Sequence, residues 1–210
     1  MRRYSGHGEA WGEFVDAKIN APELLKKQLD KAKRGTVWVS SVCDPYQPLE
    51  AKYELTRDCL KELVKKQFPV TIQTKSKLVL RDLDIFREFE QIEVGFTITT
   101  DNERVAKVFE PGAASIKERL IALERIHSSG IKTYAFIGPL LPGNPEKLIE
   151  DVKENVDNVY VDRMNYLYSV KGFYRQVGLQ KGATDEFFNE CKKRLAFELE
   201  KRKMKFKILY

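Results

Sequence analysis

The sequence predicts an α/β protein organised around a parallel sheet. Three observations carry this. Five apolar segments recur at intervals of roughly 25–35 residues, helical patterns separate them, and no Gly/Ser-rich linker splits the chain. Crossovers between parallel strands are right-handed, so successive strands wind into an open or closed barrel. With 210 residues the chain is long enough to bury a core without staples.

Each element has a local reason. Asn20-Ala21-Pro22-Glu23 opens a first helix, with Asn20 as cap, Pro22 in the first turn and Glu23 able to bond back; it runs to about Lys33 and Gly35 ends it. Residues 36–42 form the first strand. Its exit, SSVCDPYQP, is longer than a plain strand-to-helix connection and carries two prolines, Pro45 and Pro48, that restrict the backbone. A helix over 55–66 leads through Pro69 to a strand over 70–74. Residues 82–90 read as helix and 93–99 as strand. Ser115 and Glu118 have the spacing of a capping box, opening a helix that ends near Gly130. A strand over 132–137 follows, then a helix started by Asn144-Pro145-Glu146, a short strand over 159–162 and helices over about 170–179 and 184–202. Residues 206–209 are a candidate last strand. The expected organisation is a single domain over 1–210: a loop to residue 19, βα units over 20–165 and C-terminal helices over 166–210.

Composition excludes several classes. No segment approaches the roughly 20 apolar residues of a membrane span, and MRRYSGHGEAWGEF has no apolar core of a secretory signal. The three cysteines, Cys43, Cys59 and Cys191, match no disulfide or zinc spacing, so a reducing, cytoplasmic setting is expected. Cys59 and Cys191 fall on helical apolar stripes and read as core; Cys43 lies among turn residues. The net charge of +6 is concentrated in Lys192-Lys193-Arg194 and Lys201-Arg202-Lys203. Such runs are solvated helix faces or contacts to a polyanion, and no aromatic residues alternate with them to supply stacking. There is no glycine-rich phosphate loop, and His7 and His127 are isolated, so a Ser–His–Asp or Cys–His device has little to draw on.

In parallel α/β sheets, ligands bind at the C-terminal ends of the strands. Every expected strand delivers polar groups there: Ser40, Ser41, Cys43 and Asp44; Thr74 and Lys75; Thr97 and Thr99; Gly138-Pro139; Asp162, Arg163 and Asn165. One polar strand end merely meets water. Five together favour a ligand site.

The stretches SSVCDPYQPLEAKYELT, TIQTKSKLVLRDLDIF, EVGFTITT, VFEPGAAS, GIKTYAFIGPLLPG and VYVDRMN together resemble the radical S-adenosylmethionine (SAM) proteins of the DNA repair photolyase-like group, relatives of spore photoproduct lyase. The resemblance spans about residues 1–170. It implies a partial (βα)6 barrel, SAM and an iron–sulfur cluster as cofactors, and hydrogen abstraction by an adenosyl radical; DNA or another nucleic acid is the implied partner. Lys75 matches the lysine that approaches the SAM carboxylate. Thr97 and Thr99 match small polar residues facing SAM, Pro139 sits where the fifth strand meets the adenine, and Ser41 and Asp44 lie where the SAM amino group is bound. Cys43 falls near a hydrogen-donating cysteine. Tyr46, Arg163 and Asn165 are candidates for substrate contact, and Phe109-Glu110-Pro111-Gly112 matches a shared structural turn.

The group draws its cluster ligands from a CxxxCxxC loop after strand one, and these 210 residues hold no such motif. The opening residues are similar to the stretch that follows that loop. The five strands then correspond to strands two to six, with strand one missing and no cluster expected on this chain. The strand over 36–42 would be left with a bare apolar edge, which favours a homodimer through it, a swapped segment, or the residues before Asn20 folded across it. Two other readings stay open: a barrel lyase forming a Schiff base at Lys75, which requires burial or a nearby cation, and a non-catalytic basic nucleic-acid-binding module.

Overall fold

The computed structural model describes residues 6–9, 12–40 and 42–210. Its centre is one six-stranded sheet, β1 (Val37–Val39), β2 (Val70–Thr74), β3 (Ile92–Thr97), β4 (Lys132–Ile137), β5 (Asn158–Val161) and β6 (Phe206–Ile208). Spatial order equals chain order, and every neighbouring pair is parallel. The sequential parallel sheet expected from βα spacing is therefore the observed one, and the candidate strand near 206–209 joins it beside β5.

The helices are α1 (Ala21–Leu29), α2 (Glu50–Tyr53), α3 (Leu55–Lys65), α4 (Leu83–Phe86), α5 (Glu103–Phe109), α6 (Ile116–Ser128), α7 (Pro145–Val152), α8 (Leu167–Gln176) and α9 (Asp185–Lys201). Short 3₁₀ turns cover Lys77–Asp82 and Gln180–Ala183. Ser115 and Glu118 form the full capping box at α6. Asn144 caps α7 and Thr184 caps α9 through their side chains.

Register divides the sheet into two chemically different faces. Val70, Ile72, Val94, Ala135 and Val159 lie on one face, buried against Leu60 and Leu63 of α3, Leu123 and Ile126 of α6, Ile149 of α7 and Leu195 of α9. On the other face Trp38 pairs with Thr71, Gln73 with Gly95, Gly95 with Tyr134, and Thr97 with Phe136. That second face is polar and aromatic. It needs Gly95: a Cβ there would lie 2.1 Å from the Tyr134 ring. Tyr134 is fixed in turn by donating its hydroxyl to the Ile72 carbonyl at 3.1 Å.

Four expectations shift. Asn20 makes no side-chain cap, and α1 stops at Leu29, its last buried residue, because the polar stretch 30–36 has nothing to bury. The strand over 36–42 is only Val37–Val39, because Ser40 turns out of extended geometry at φ 57°. The helix over 82–90 becomes the 3₁₀ turn plus α4, because Asp82 is drawn inward to a cluster of cations. Cys191 is buried as expected, whereas Cys59 is only half-buried. Burial pushes both thiols up to about 11.

Candidate functional site

The long loop after β1 is a clasp. Ser40 donates its hydroxyl to the Cys43 carbonyl at 2.6 Å, closing the first turn. The Asp44 carboxylate then accepts three hydrogen bonds: from the Tyr46 N–H at 2.9 Å, the Thr74 hydroxyl at 2.6 Å and the Lys75 N–H at 2.7 Å. One side chain thus ties the end of β1 to the end of β2, and it orients the backbone at Lys75. Thr56 at the start of α3 donates to the Pro45 carbonyl at 2.6 Å.

Lys75 continues the sheet face that holds Gln73 and Thr97. Its ammonium lies 3.5 Å from Glu110, and its side chain is 35% exposed, so most of its three donors remain available. Glu110 is held from behind by Arg119 at 2.7 Å. Arg119 is 1% exposed, and it also donates to the Thr97 carbonyl at 3.0 Å and the Ala114 carbonyl at 2.8 Å. The Thr97 hydroxyl meets the Gln73 amide at 3.1 Å. Thr99 is fully buried, and its hydroxyl has no partner among the described residues, which costs about 1–3 kcal/mol that a bound polar group reaching it would offset.

The expected residues sort as follows. Asp44, Thr74 and Lys75 are in direct contact, and Thr97 joins them through Gln73 and through the Arg119–Glu110 pair. Thr99 and Pro139 stand at the neighbouring strand ends, linked by the Leu141 N–H donating to the Thr99 carbonyl at 3.0 Å. Cys43 is exposed, its sulfur 3.2 Å from the Ser40 hydroxyl. Ser41 lies outside the described residues. Tyr46 corrects the expectation of substrate contact: it is 1% exposed, and its hydroxyl donates to Asp82 at 3.0 Å. Burial, and then the Asp82 charge, raise the Tyr46 hydroxyl well above its ordinary value. Arg163 turns toward α9, pairing with Asp185 at 2.9 Å and lying over the Phe188 ring. Asn165 is exposed and donates to Asp162 at 3.1 Å.

Glu110 and Arg119 were missed by sequence reasoning. The signal was present: Arg119 interrupts the apolar stripe of Ile116, Leu123 and Ile126, and a lone cation at a core position needs an anion.

The cysteines do not fit the three thiolates in one loop that the resemblance requires. Cys43 is in the β1 loop, Cys59 on α3 and Cys191 on α9. Among the described residues no three His, Cys, Asp or Glu side chains gather as a metal site.

A model of the radical SAM superfamily matches residues 4–156. An uncharacterized protein of Methanocaldococcus jannaschii is 38% identical over 167 residues, 79% of this chain and 62% of that protein. The chain therefore spans less than two thirds of that relative. Among solved structures, spore photoproduct lyase complexed with dinucleoside spore photoproduct superposes with a TM-score of 0.65 over 93% of this chain and 67% of the other, at 13% identity. Streptococcus suis SuiB bound to precursor peptide SuiA gives 0.63 over 94% and 44%, at 12% identity. At such identities the structures speak for the fold alone. The family model covers most of the chain, from before α1 to beyond α7, and with the sequential parallel sheet it establishes that this chain belongs to the radical SAM superfamily.

Proposed function

We propose that these residues form the SAM- and substrate-binding portion of a radical SAM enzyme, lyase-like in the manner of spore photoproduct lyase, and that by themselves they do not cleave SAM. The observation that carries the first half is Lys75, placed by Asp44 at the strand-end rim with donors to spare. The SAM carboxylate would take the Lys75 ammonium, and Thr97, Thr99 and Pro139 would line the adjoining strand ends. The family implies a four-iron, four-sulfur cluster whose chemistry is reductive cleavage of SAM. The cysteines here do not fit it, so no step is routed through these residues. A polyanionic substrate, DNA or another nucleic acid, suits the net charge of +6.

Calorimetric titration of the folded chain with SAM should show saturable binding. Lys75→Ala should weaken it about 10- to 100-fold, the worth of a hydrogen bond to a charged group. Supplied with iron, sulfide and reductant, the chain should yield no 5′-deoxyadenosine. Absent SAM binding would overturn the first half, and 5′-deoxyadenosine the second. The Schiff-base alternative required burial or a cation beside Lys75; the side chain is partly exposed, and the charge beside it is Glu110.

The outer edge of β1 is unpaired among the described residues, and Trp38 is 56% exposed. We propose that a second copy pairs there, over the three residues of β1. Light scattering at elution should give the mass of a dimer, and Trp38→Lys should return a monomer. A wild-type monomer would refute the pairing.

A further inference from the structure

Between Asp162 and Asp185 the chain has no acidic residue, in a protein with 31 of them. The same stretch, RMNYLYSVKGFYRQVGLQKGAT, carries four cations, Arg163, Lys171, Arg175 and Lys181, interleaved with four aromatic residues. It follows β5, so it starts from the rim that holds Asp44 and Lys75. The buried Tyr174 and the partly covered Phe173, 40% exposed, anchor α8. Tyr174 is fully buried in a cluster with Val105, Leu141 and Ala183, and Phe173 and Tyr174 pack on Phe109 with ring centroids 5.2 and 4.7 Å away. Phe109 immediately precedes Glu110, so α8 is seated beside the turn that contacts Lys75.

The outward side of α8 is the opposite in character. Tyr168, Lys171 and Arg175 recur at helical spacing along one stripe and are all exposed, Tyr168 at 78%. Tyr166, just before the helix, is 75% exposed and stands edge-to-face to Tyr168 at 6.4 Å. Its backbone is left-handed, at φ 53° and ψ 38°, a conformation a bulky residue rarely adopts. Arg163 is spent on Asp185. Lys171, Arg175 and Lys181 form no ion pair among the described residues, although basic residues elsewhere on this surface do so repeatedly.

Exposed tyrosines flanked by unpaired cations are the parts of a single-strand nucleic-acid surface: π-faces for bases and positive charge for phosphates. A bilayer would require aliphatic side chains on the same face, but Leu167 and Val170 pack inward. We propose that the 163–166 turn and α8 bind single-stranded or locally unpaired nucleic acid, with Tyr166 and Tyr168 stacking on bases and Lys171 and Arg175 meeting the adjacent phosphates. The inference deepens the reading of this rim as the substrate side and rests on it for placement; binding at this surface does not itself require SAM.

The test is fluorescence anisotropy of the whole chain, without SAM, using a labelled single-stranded oligonucleotide of about 15 nucleotides and its duplex. The single strand should bind more tightly than the duplex. Tyr168→Ala should weaken binding about tenfold or more. Lys171→Gln with Arg175→Gln should make the salt dependence shallower, reducing the slope of log K against log[salt] by about 1.4. Tyr166→Gly gives a readout that a structural role would not: it relieves the left-handed strain, so the melting temperature should hold or rise while oligonucleotide affinity falls. No binding at low salt would overturn the proposal, as would wild-type affinity in all three variants. So would binding to phosphatidylserine-containing vesicles by a chain that ignores the oligonucleotide. Failure of SAM binding with oligonucleotide binding intact would remove the cofactor reading and leave this surface standing.

Discussion

Arg119→Met should lower the melting temperature by about 6–20 °C, the equivalent of roughly 3–5 kcal/mol for a chain of this size. Methionine fits the volume, so the loss is electrostatic and hydrogen-bonded rather than a cavity. The guanidinium is 1% exposed, donates to two carbonyls from separate segments, that of Thr97 at the end of β3 and that of Ala114 in the loop after α5, and forms an ion pair with the Glu110 carboxylate at 2.7 Å. Removing it leaves two carbonyls without that donor and the Glu110 carboxylate, 9% exposed, with the partly exposed Lys75 ammonium at 3.5 Å as its remaining ion pair among the described residues. Arg119→Lys keeps the charge but not the fork that reaches both carbonyls and Glu110, so it should fall between. The surface pair Lys77–Glu118 makes a useful contrast. Lys77 is 65% exposed, and Lys77→Ala should leave the melting temperature nearly unchanged. Differential scanning calorimetry decides this, and a Met variant melting with the wild type would show that the network does not hold the end of β3.

The sheet was legible because its signals are periodic and local. Residues 70–74 and 132–137 are apolar runs bounded by Pro69 and by Gly130, and both strands fall where expected. The capping box at Ser115 and Glu118 uses two side chains three residues apart, so sequence spacing suffices to find it. The strand ends were legible for the same reason: they are known once strands are known, and Asp44, Lys75 and Thr97 lie there. What escaped is non-local. Nothing near Tyr46 announces that Asp82, 36 residues on, will take its hydroxyl. An exposed tyrosine in a turn and a buried one look alike in sequence, and Tyr166 and Tyr46 ended on opposite sides of that choice. The strand over 36–42 failed because Ser40 reads as extended until its own hydroxyl captures the Cys43 carbonyl.

Asp82→Asn should have an effect of the same size as the loss of Arg119, about 3–5 kcal/mol, and should loosen the loop after β1. Asp82 is fully buried and collects four donors: the Tyr46 hydroxyl at 3.0 Å, Arg57 at 2.7 Å, and two from Arg81 at 2.8 and 3.0 Å. Asparagine keeps the shape but turns one acceptor into a donor facing cations. Arg57 retains Asp84 at 2.6 Å and Arg81 retains Glu50 at 2.8 Å, so neither is stranded, and the loss stays within the range for one broken buried partner. Tyr46→Phe removes a single bond to a charged acceptor and should cost about 1.5–3 kcal/mol. In the Asp82→Asn background the same change should cost less, because its acceptor has lost its charge; the coupling should be roughly 0.5–3 kcal/mol. Urea unfolding of the four proteins, with unchanged m-values, measures this. The cycle also tests what the long loop is for. If Tyr46 is the loop's anchor to Asp82, Tyr46→Phe lowers stability and leaves the proposed SAM affinity within about twofold, since the ring is 1% exposed. A Phe variant as stable as the wild type, with ligand affinity lost, would return Tyr46 to the site and make the burial incidental.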